Sequence, residues 1–239
     1  RGGFSGLFPD SSEYAFRTAV SSSMPGVVLF CDLKFSSDGV GFCIGNLRLD
    51  NTTLIDKDFA SRGSTYQVNG QDVQGWFSLD FKSKELHEIP MIQNILSRSQ
   101  IFDGIPNLMS LDNVVKIVDP NEIWVNVEYD SFYREHGLSS EDYILGLPKE
   151  FPVTWVSSPE VALLKSLAGK LRNSTKLIFR FLREDLVEPT TKMTYGELLK
   201  DLKSIKAFAS GILVPKQFIW PMNKDMYLEP STSLVKDAH

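Results

Sequence analysis

Cysteine and histidine are scarce in this 239-residue sequence, with two and three copies. Long apolar runs are absent too: none approaches the ~20 residues that span a bilayer as a helix. No polybasic patch marks the chain for an anionic membrane surface. A net charge of −5 and a pI near 5.3 argue against binding nucleic acid by bulk electrostatics. There is no internal repeat and no low-complexity tract. What remains is ordinary for a soluble globular protein, with 42% hydrophobic and 23% charged residues, and the length suits one large α/β domain or two small ones. We read residues 1–239 as a single domain.

The two cysteines, Cys31 and Cys43, flank the Asp38-Gly39 turn, which places them on neighbouring strands. A disulfide is compatible with that spacing; buried free thiols are the expectation, because unpaired cysteine is among the most buried residue types. Two N-glycosylation sequons, at Asn51 and Asn173, lie beside turn-like sequence and tilt the reading toward a secreted protein. The chain opens abruptly at Arg1-Gly2-Gly3 without a leader-like segment and is read as a piece trimmed from a longer protein.

Strand-like and helix-like segments alternate. "SSEYAFRTAVSS" (11–22) predicts a helix with a serine cap, and residues 27–33 an apolar strand followed by a Ser-Ser-Asp-Gly turn. A loop-rich region leads to a short helix near Ser83 and a second over 110–118, capped by Ser110. Strands over 123–129, 152–158 and 176–182 then alternate with helices in "SSEDYILGL", "SPEVALLKSLAGKL" and "TYGELLKDLKSIKAFA", before strand "GILVP" and a last helix begun by "STSLVKDAH". Repeated βα units with nearly continuous apolar strands predict a parallel sheet buried on both faces, as in a (β/α)8 TIM barrel. About six or seven strands are legible against the eight of a closed barrel, so the first and last strands are expected to be missing.

Four segments, in order, resemble the glycerophosphodiester phosphodiesterase family. "RGGFSGLFPDSSEYAF" resembles its His-Arg-Gly opening and Pro-Glu-Asn-Thr helix start. "LFCDLKFSSDGVGFCIGNLRLDNTT" resembles its Glu-x-Asp strand, Asp-Gly turn, His-Asp pair and Leu-Asp-x-Thr-Thr tail. "FDGIPNLMSLDNVVKIV" is similar to its Ile-Pro-Thr-Leu element, and "WVNVEYD" to its Glu-x-Lys strand. The wording is nearest the first of two tandem domains in plant cell-surface, lipid-anchored proteins of this type. The resemblance implies a barrel of that family, a second tandem domain, a GPI-anchored location at the plasma membrane's outer face or cell wall, and one divalent cation, Ca2+ or Mg2+.

The implied chemistry is hydrolysis of glycerophosphodiesters to glycerol 3-phosphate and an alcohol. Carboxylates at i and i+2 of a strand share a face and, with a third acid, cage a hard cation that polarises the phosphodiester. Two histidines act as acid and base, and an arginine steadies the phosphate. Transferred residue by residue, Asp32 and Glu128 fall on metal-binding acids; the plainer alternative is an acid solvated or capped in a βα loop for Asp32 and an edge-of-strand acid paired with a nearby cation for Glu128. Asp130 stands where the family has a lysine, and Asp32, Glu128 and Asp130 are expected to converge on a displaced cation site. The first family glutamate is replaced by Phe30, which cannot ligate.

The second histidine falls on Gly45, followed by Asn46; neither titrates near neutrality, and losing such acid–base work costs ~10²–10⁴-fold in rate. The first histidine would precede Arg1. His87, His136 and His239 sit in helix-end or loop contexts without a barrel-mouth signature. Arg1 matches the phosphate-steadying arginine, and Asp10, Ser11 or Ser12 is expected to cap the first helix. Arg180, Lys216 and Trp220 are the remaining candidates for a phosphodiester or cell-wall ligand, with Arg180 also able to pair with an acid. These substitutions favour a domain whose hydrolysis is weak or lost, the alternative to turnover being a non-catalytic binding or structural role.

Overall fold

Apolar residues at 27–31 set the first strand, and everything near the site is registered against it. The computed structural model describes residues 2–239; Arg1, the expected phosphate contact, lies outside the described residues. The strands are β1 (Val28–Phe35), β2 (Gly41–Cys43), β3 (Ser64–Val68), β4 (Gln71–Gly75), β5 (Glu122–Asn126), β6 (Val153–Ser158), β7 (Lys176–Arg180) and β8 (Gly211–Leu213). The architecture is α/β, of the (β/α)8 TIM-barrel type. Among the described residues five strands lie in parallel pairs, β1 with β5 and β6–β7–β8 in sequence, so eight are not reached. The chain divides into two compact units at Thr154/Trp155.

In the first unit, β1 sits between β2, antiparallel, and β5, parallel. Its odd-numbered face, Leu29, Cys31, Leu33 and Phe35, is buried. Phe35 meets the rings of Tyr133 and Tyr143 at 5.2 and 5.1 Å, on helices Asp130–Glu135 and Ser140–Gly146. The even face, Phe30, Asp32 and Lys34, points away from that helical layer, because side chains alternate along a strand. The opening helix, Glu13–Ser22, buries Ala15, Phe16 and Ala19, and Ser12 caps it by accepting the Ala15 N–H at 3.3 Å.

Cys31 and Cys43 are disulfide-bonded, with Cα atoms 4.9 Å apart, which corrects the expectation of free thiols. Both are buried, but burial and bonding are not alternatives here. The tight β1–β2 connection brings the two cysteines to within the Cα separation that a disulfide bridges. The region between β2 and β5, read from sequence as loops, contains the β3–β4 hairpin. Its two-residue turn is Asn69-Gly70, both at positive φ (51° and 79°), the pairing that favours a tight hairpin turn. The expected helix over 110–118 is a single α-turn, Leu111–Asn113, continued by a π-type stretch, Val114–Val118.

In the second unit, β6, β7 and β8 form a parallel run. Phe179, Phe181, Tyr195 and Phe208 pack beside β7 with ring centroids 4.8–6.5 Å apart. Helix Val161–Leu167 starts against the buried carboxylate of Glu188, which accepts the Val161 N–H at 3.2 Å and the Thr191 N–H at 2.6 Å. The single helix expected from "TYGELLKDLKSIKAFA" is two, Tyr195–Leu199 and Leu202–Lys206. Asp201 separates them because its carboxylate caps the second, accepting the Ser204 N–H at 3.2 Å.

Candidate functional site

The candidate mouth is built where β1 and β5 run side by side. Their parallel register pairs Phe30 with Trp124 and Asp32 with Asn126. Paired residues on adjacent strands point to the same face, so both contacts are dictated by register. The Phe30 and Trp124 rings lie 5.6 Å apart. At this position, which the resemblance aligns with a carboxylate, the two rings form an aromatic pair. Asp32 is 2% exposed and its Oδ1 accepts a hydrogen bond from Asn126 Nδ2 at 2.7 Å.

Glu128 follows Asn126 by two residues and is half-buried, just past the end of β5. Asp130 does not join it. Asp130 opens helix Asp130–Glu135, is buried, and is ion-paired with Arg134 one turn on. An acid in the first turn of a helix also meets the favourable end of the helix dipole. Among the described residues no three His, Cys, Asp or Glu side chains come together in a way that would hold a metal, so the expected three-acid cage is not formed.

The β2 side of the mouth carries Gly45. The Ile44 N–H donates to the Asp32 backbone carbonyl at 2.8 Å, which fixes Gly45 beside the end of β1. A Cβ built on Gly45 would meet the Asp10 carboxylate, Oδ2 at 3.4 Å, at ordinary contact distance. The position is therefore bare without being crowded, and Asp10 stands next to it. Asp10 also accepts the Ser11 hydroxyl at 2.6 Å, while Ser12 takes the helix-capping role.

The sequence pointed neither to Lys34 nor to Asn126. Both are fully buried polar residues on the even face, at i+2 from Asp32 and opposite it. The signal available was the alternation itself: Lys34 shares Asp32's face inside an otherwise apolar strand. Its ammonium lies 5.5 Å from the Tyr129 ring centre. The histidines stay outside the mouth: His87 packs on Phe42, and His136 sits between Tyr66 and Phe132 with Nδ1 2.7 Å from the Phe132 carbonyl oxygen.

At the turn joining β1 to β2, Asp38 accepts the Ser83 N–H at 2.8 Å and the Ser83 hydroxyl at 2.7 Å. Desolvation pushes its carboxyl up, but hydrogen bonds from Ser36 and Ser83 outweigh that and bring it down to about 2.

In the second unit, the remaining candidates follow the ends of β7 and β8. Arg180 is the last residue of β7 and pairs with Leu213. Lys216 opens a 3-10 turn, and the Trp220 N–H closes on its carbonyl at 2.9 Å. The Trp220 side chain is 53% exposed. Asn51 and Asn173 are both exposed.

No protein-family profile matches the chain. Among curated Arabidopsis thaliana proteins, it is 45% identical over 241 residues to the glycerophosphodiester phosphodiesterase GDPDL3, covering 100% of this chain and 32% of the relative. It is equally 45% identical over 243 residues to the glycerophosphodiester phosphodiesterase GDPDL6, with the same coverage. The chain thus spans about a third of the length of these relatives. A shorter Arabidopsis relative, glycerophosphodiester phosphodiesterase GDPD6, is 28% identical over 264 residues, covering 99% of this chain and 69% of its own length. Solved structures share the fold. An Oleispira antarctica phosphodiesterase, solved in complex with the product sn-glycerol-3-phosphate, superposes with a TM-score of 0.54 at 14% identity over 90% of this chain and 81% of that one. A Thermotoga maritima glycerophosphodiester phosphodiesterase does so at 0.53 and 19%, over 90% and 72%.

Proposed function

Because this chain belongs to the glycerophosphodiester phosphodiesterase family, we propose that it is a barrel domain of that type in which hydrolysis is weak or lost and a phosphodiester-like or cell-wall ligand is bound without turnover. One observation carries the reading: Phe30, which the resemblance aligns with a metal-binding carboxylate, packs its ring against Trp124. The bare Gly45 beside Asp10 supports it, since the resemblance aligns the family's second histidine with that position. Neither a phenyl ring nor a glycine supplies what metal-assisted, acid–base hydrolysis needs. Exposed Trp220, with Lys216 at the start of its turn, offers a stacking surface and a cation for a ligand.

The same reading takes the chain as one part of a longer protein with a further tandem domain. It places that protein at the outer face of the plasma membrane or in the cell wall, carrying glycans at Asn51 and Asn173. Among the described residues no helix is long and apolar enough to cross a membrane.

The test is release of glycerol 3-phosphate from glycerophosphocholine, with Ca2+ or Mg2+ added, by the full-length parent protein and its Asp32→Ala and Glu128→Ala variants. The two variants are expected to match the parent, because any turnover would arise outside this segment. Turnover lost on either substitution would establish hydrolysis here and reject the proposal.

A further inference from the structure

The β3–β4 hairpin is held by one face and leaves the other free. Val73 pairs with Tyr66 on the inner face, where the Tyr66 ring packs on Phe77 and Phe132. Asp72 and Gln74 lie on the outer face, with Gln67 and Thr65 paired opposite them, and all four are exposed. Trp76 follows Gln74 by two residues, the spacing that keeps side chains on one face of an extended chain.

Past Gly75 the chain meets the residues at the start of the 3-10 turn Leu49–Asn51, and the Leu49 N–H donates to the Trp76 carbonyl at 2.8 Å. A cleft of about 430 Å³ opens there, lined by Arg48, Gly63, Asp72, Gln74, Gly75 and Trp76, a volume within the range of small-molecule sites. Its walls are fixed. Trp76 Nε1 donates to the Phe59 carbonyl at 2.8 Å, which sets the plane of the indole. Asp50 Oδ1 accepts Arg48 Nε at 3.2 Å and the Trp76 backbone N–H at 3.3 Å. A Cβ on Gly75 would lie 2.6 Å from Arg48 Nε and 3.0 Å from Asp50 Oδ1, so any side chain there would displace the guanidinium. Glycine lets the ion pair lie against the strand.

The charges decide what such a cleft can take. Arg48, the cation in its wall, is already paired with Asp50, and Asp72 adds a carboxylate that accepts an amide N–H from Gln67. A phosphate ester would meet that carboxylate with no unpaired cation in the wall to offset it. What the cleft offers instead is a guanidinium, a carboxylate and a primary amide, which donate and accept together, beside an indole. Hydroxyl groups satisfy donors and acceptors alike, and the C–H face of a sugar ring suits the negative face of an aromatic ring.

We propose that this cleft is a carbohydrate-binding site, taking a neutral saccharide with one ring against Trp76 and its hydroxyls on Gln74 and Asp72. The cleft shares no residue with the β1–β5 mouth or with the Lys216–Trp220 turn, so it stands whether or not either of those binds a ligand.

The experiment is titration calorimetry, with saturation-transfer NMR, of the full-length parent protein against cellotetraose, xylotetraose, mannotetraose and galactotetraose. Wild type is compared with an Asp72→Ala/Gln74→Ala double variant and with Trp220→Ala. Asp72 and Gln74 are exposed, so the double variant should keep the wild-type melting temperature. At least one saccharide is expected to bind wild type and Trp220→Ala alike, and to bind the double variant about tenfold more weakly or worse. Failure of every saccharide to bind at millimolar concentration overturns the proposal, as does binding that the double variant leaves unchanged. Binding abolished by Trp220→Ala and retained by the double variant overturns it too, and assigns the saccharide to the second unit.

Discussion

Replacing both cysteines by alanine removes a covalent tie that holds β1 against β2. The cross-link joins residues separated by 12 in sequence. In the chain-entropy account a loop of that size restricts the unfolded ensemble by about 3 kcal/mol. With a urea slope of about 2–3 kcal/mol per molar, the double variant should unfold at roughly 1 M less urea than wild type. The loss has a local address, because the Ile44 N–H bond to the Asp32 carbonyl lies next to the tie. Amide exchange should therefore accelerate at Leu33, Cys43 and Ile44 before it does in the β3–β4 hairpin. Thiol titration of the unreduced protein in denaturant checks the premise, and urea unfolding followed by fluorescence gives the magnitude. Two titratable thiols in the unreduced chain, or a midpoint within about 0.2 M of wild type in the double variant, would refute the reasoning.

Two further perturbations follow from carboxylates with defined hydrogen-bond donors. The folded-state pKa of Asp38 is depressed from 3.8 to about 2, so its contribution to stability is fully present above pH 3.8 and is lost as pH falls toward 2. Asp38→Asn should flatten that acid limb of a stability–pH curve, and an unchanged limb would count against the Ser83 contacts. Glu188 is 0% exposed and its carboxylate accepts the N–H groups of Val161, Thr190 and Thr191 together with the Thr190 hydroxyl. Glu188→Ala leaves those donors without their acceptor and should cost about 2–4 kcal/mol, read as a lower melting temperature and faster amide exchange over Val161–Leu167.

Much of the fold was legible because its signals are local. The strand over 27–33, the Asp-Gly turn and the serine caps at Ser12 and Ser110 are short-range patterns, and the structure places strand, turn and helix starts there. The β3–β4 hairpin was also written locally, as Asn69-Gly70 between polar strands, but its residues are mostly exposed and lack the apolar alternation that draws attention to a strand. The break in the helix after Leu199 was hidden by the opposite circumstance: the apolar spacing continues across Asp201, and only the capping geometry shows that the chain restarts there.

The mouth was less legible, since its composition depends on register between strands about ninety residues apart. A residue-by-residue comparison with the family can say that Phe30 replaces an acid. It cannot say that Trp124 is the residue Phe30 lies against, or that Asp32 faces an amide donor, because both follow from the β1–β5 pairing. The same pairing explains why Asp130 was miscounted as a third acid. Extrapolating the strand through Glu128 kept Asp130 on the mouth face, but the strand ends at Asn126 and Asp130 turns into a helix to meet Arg134.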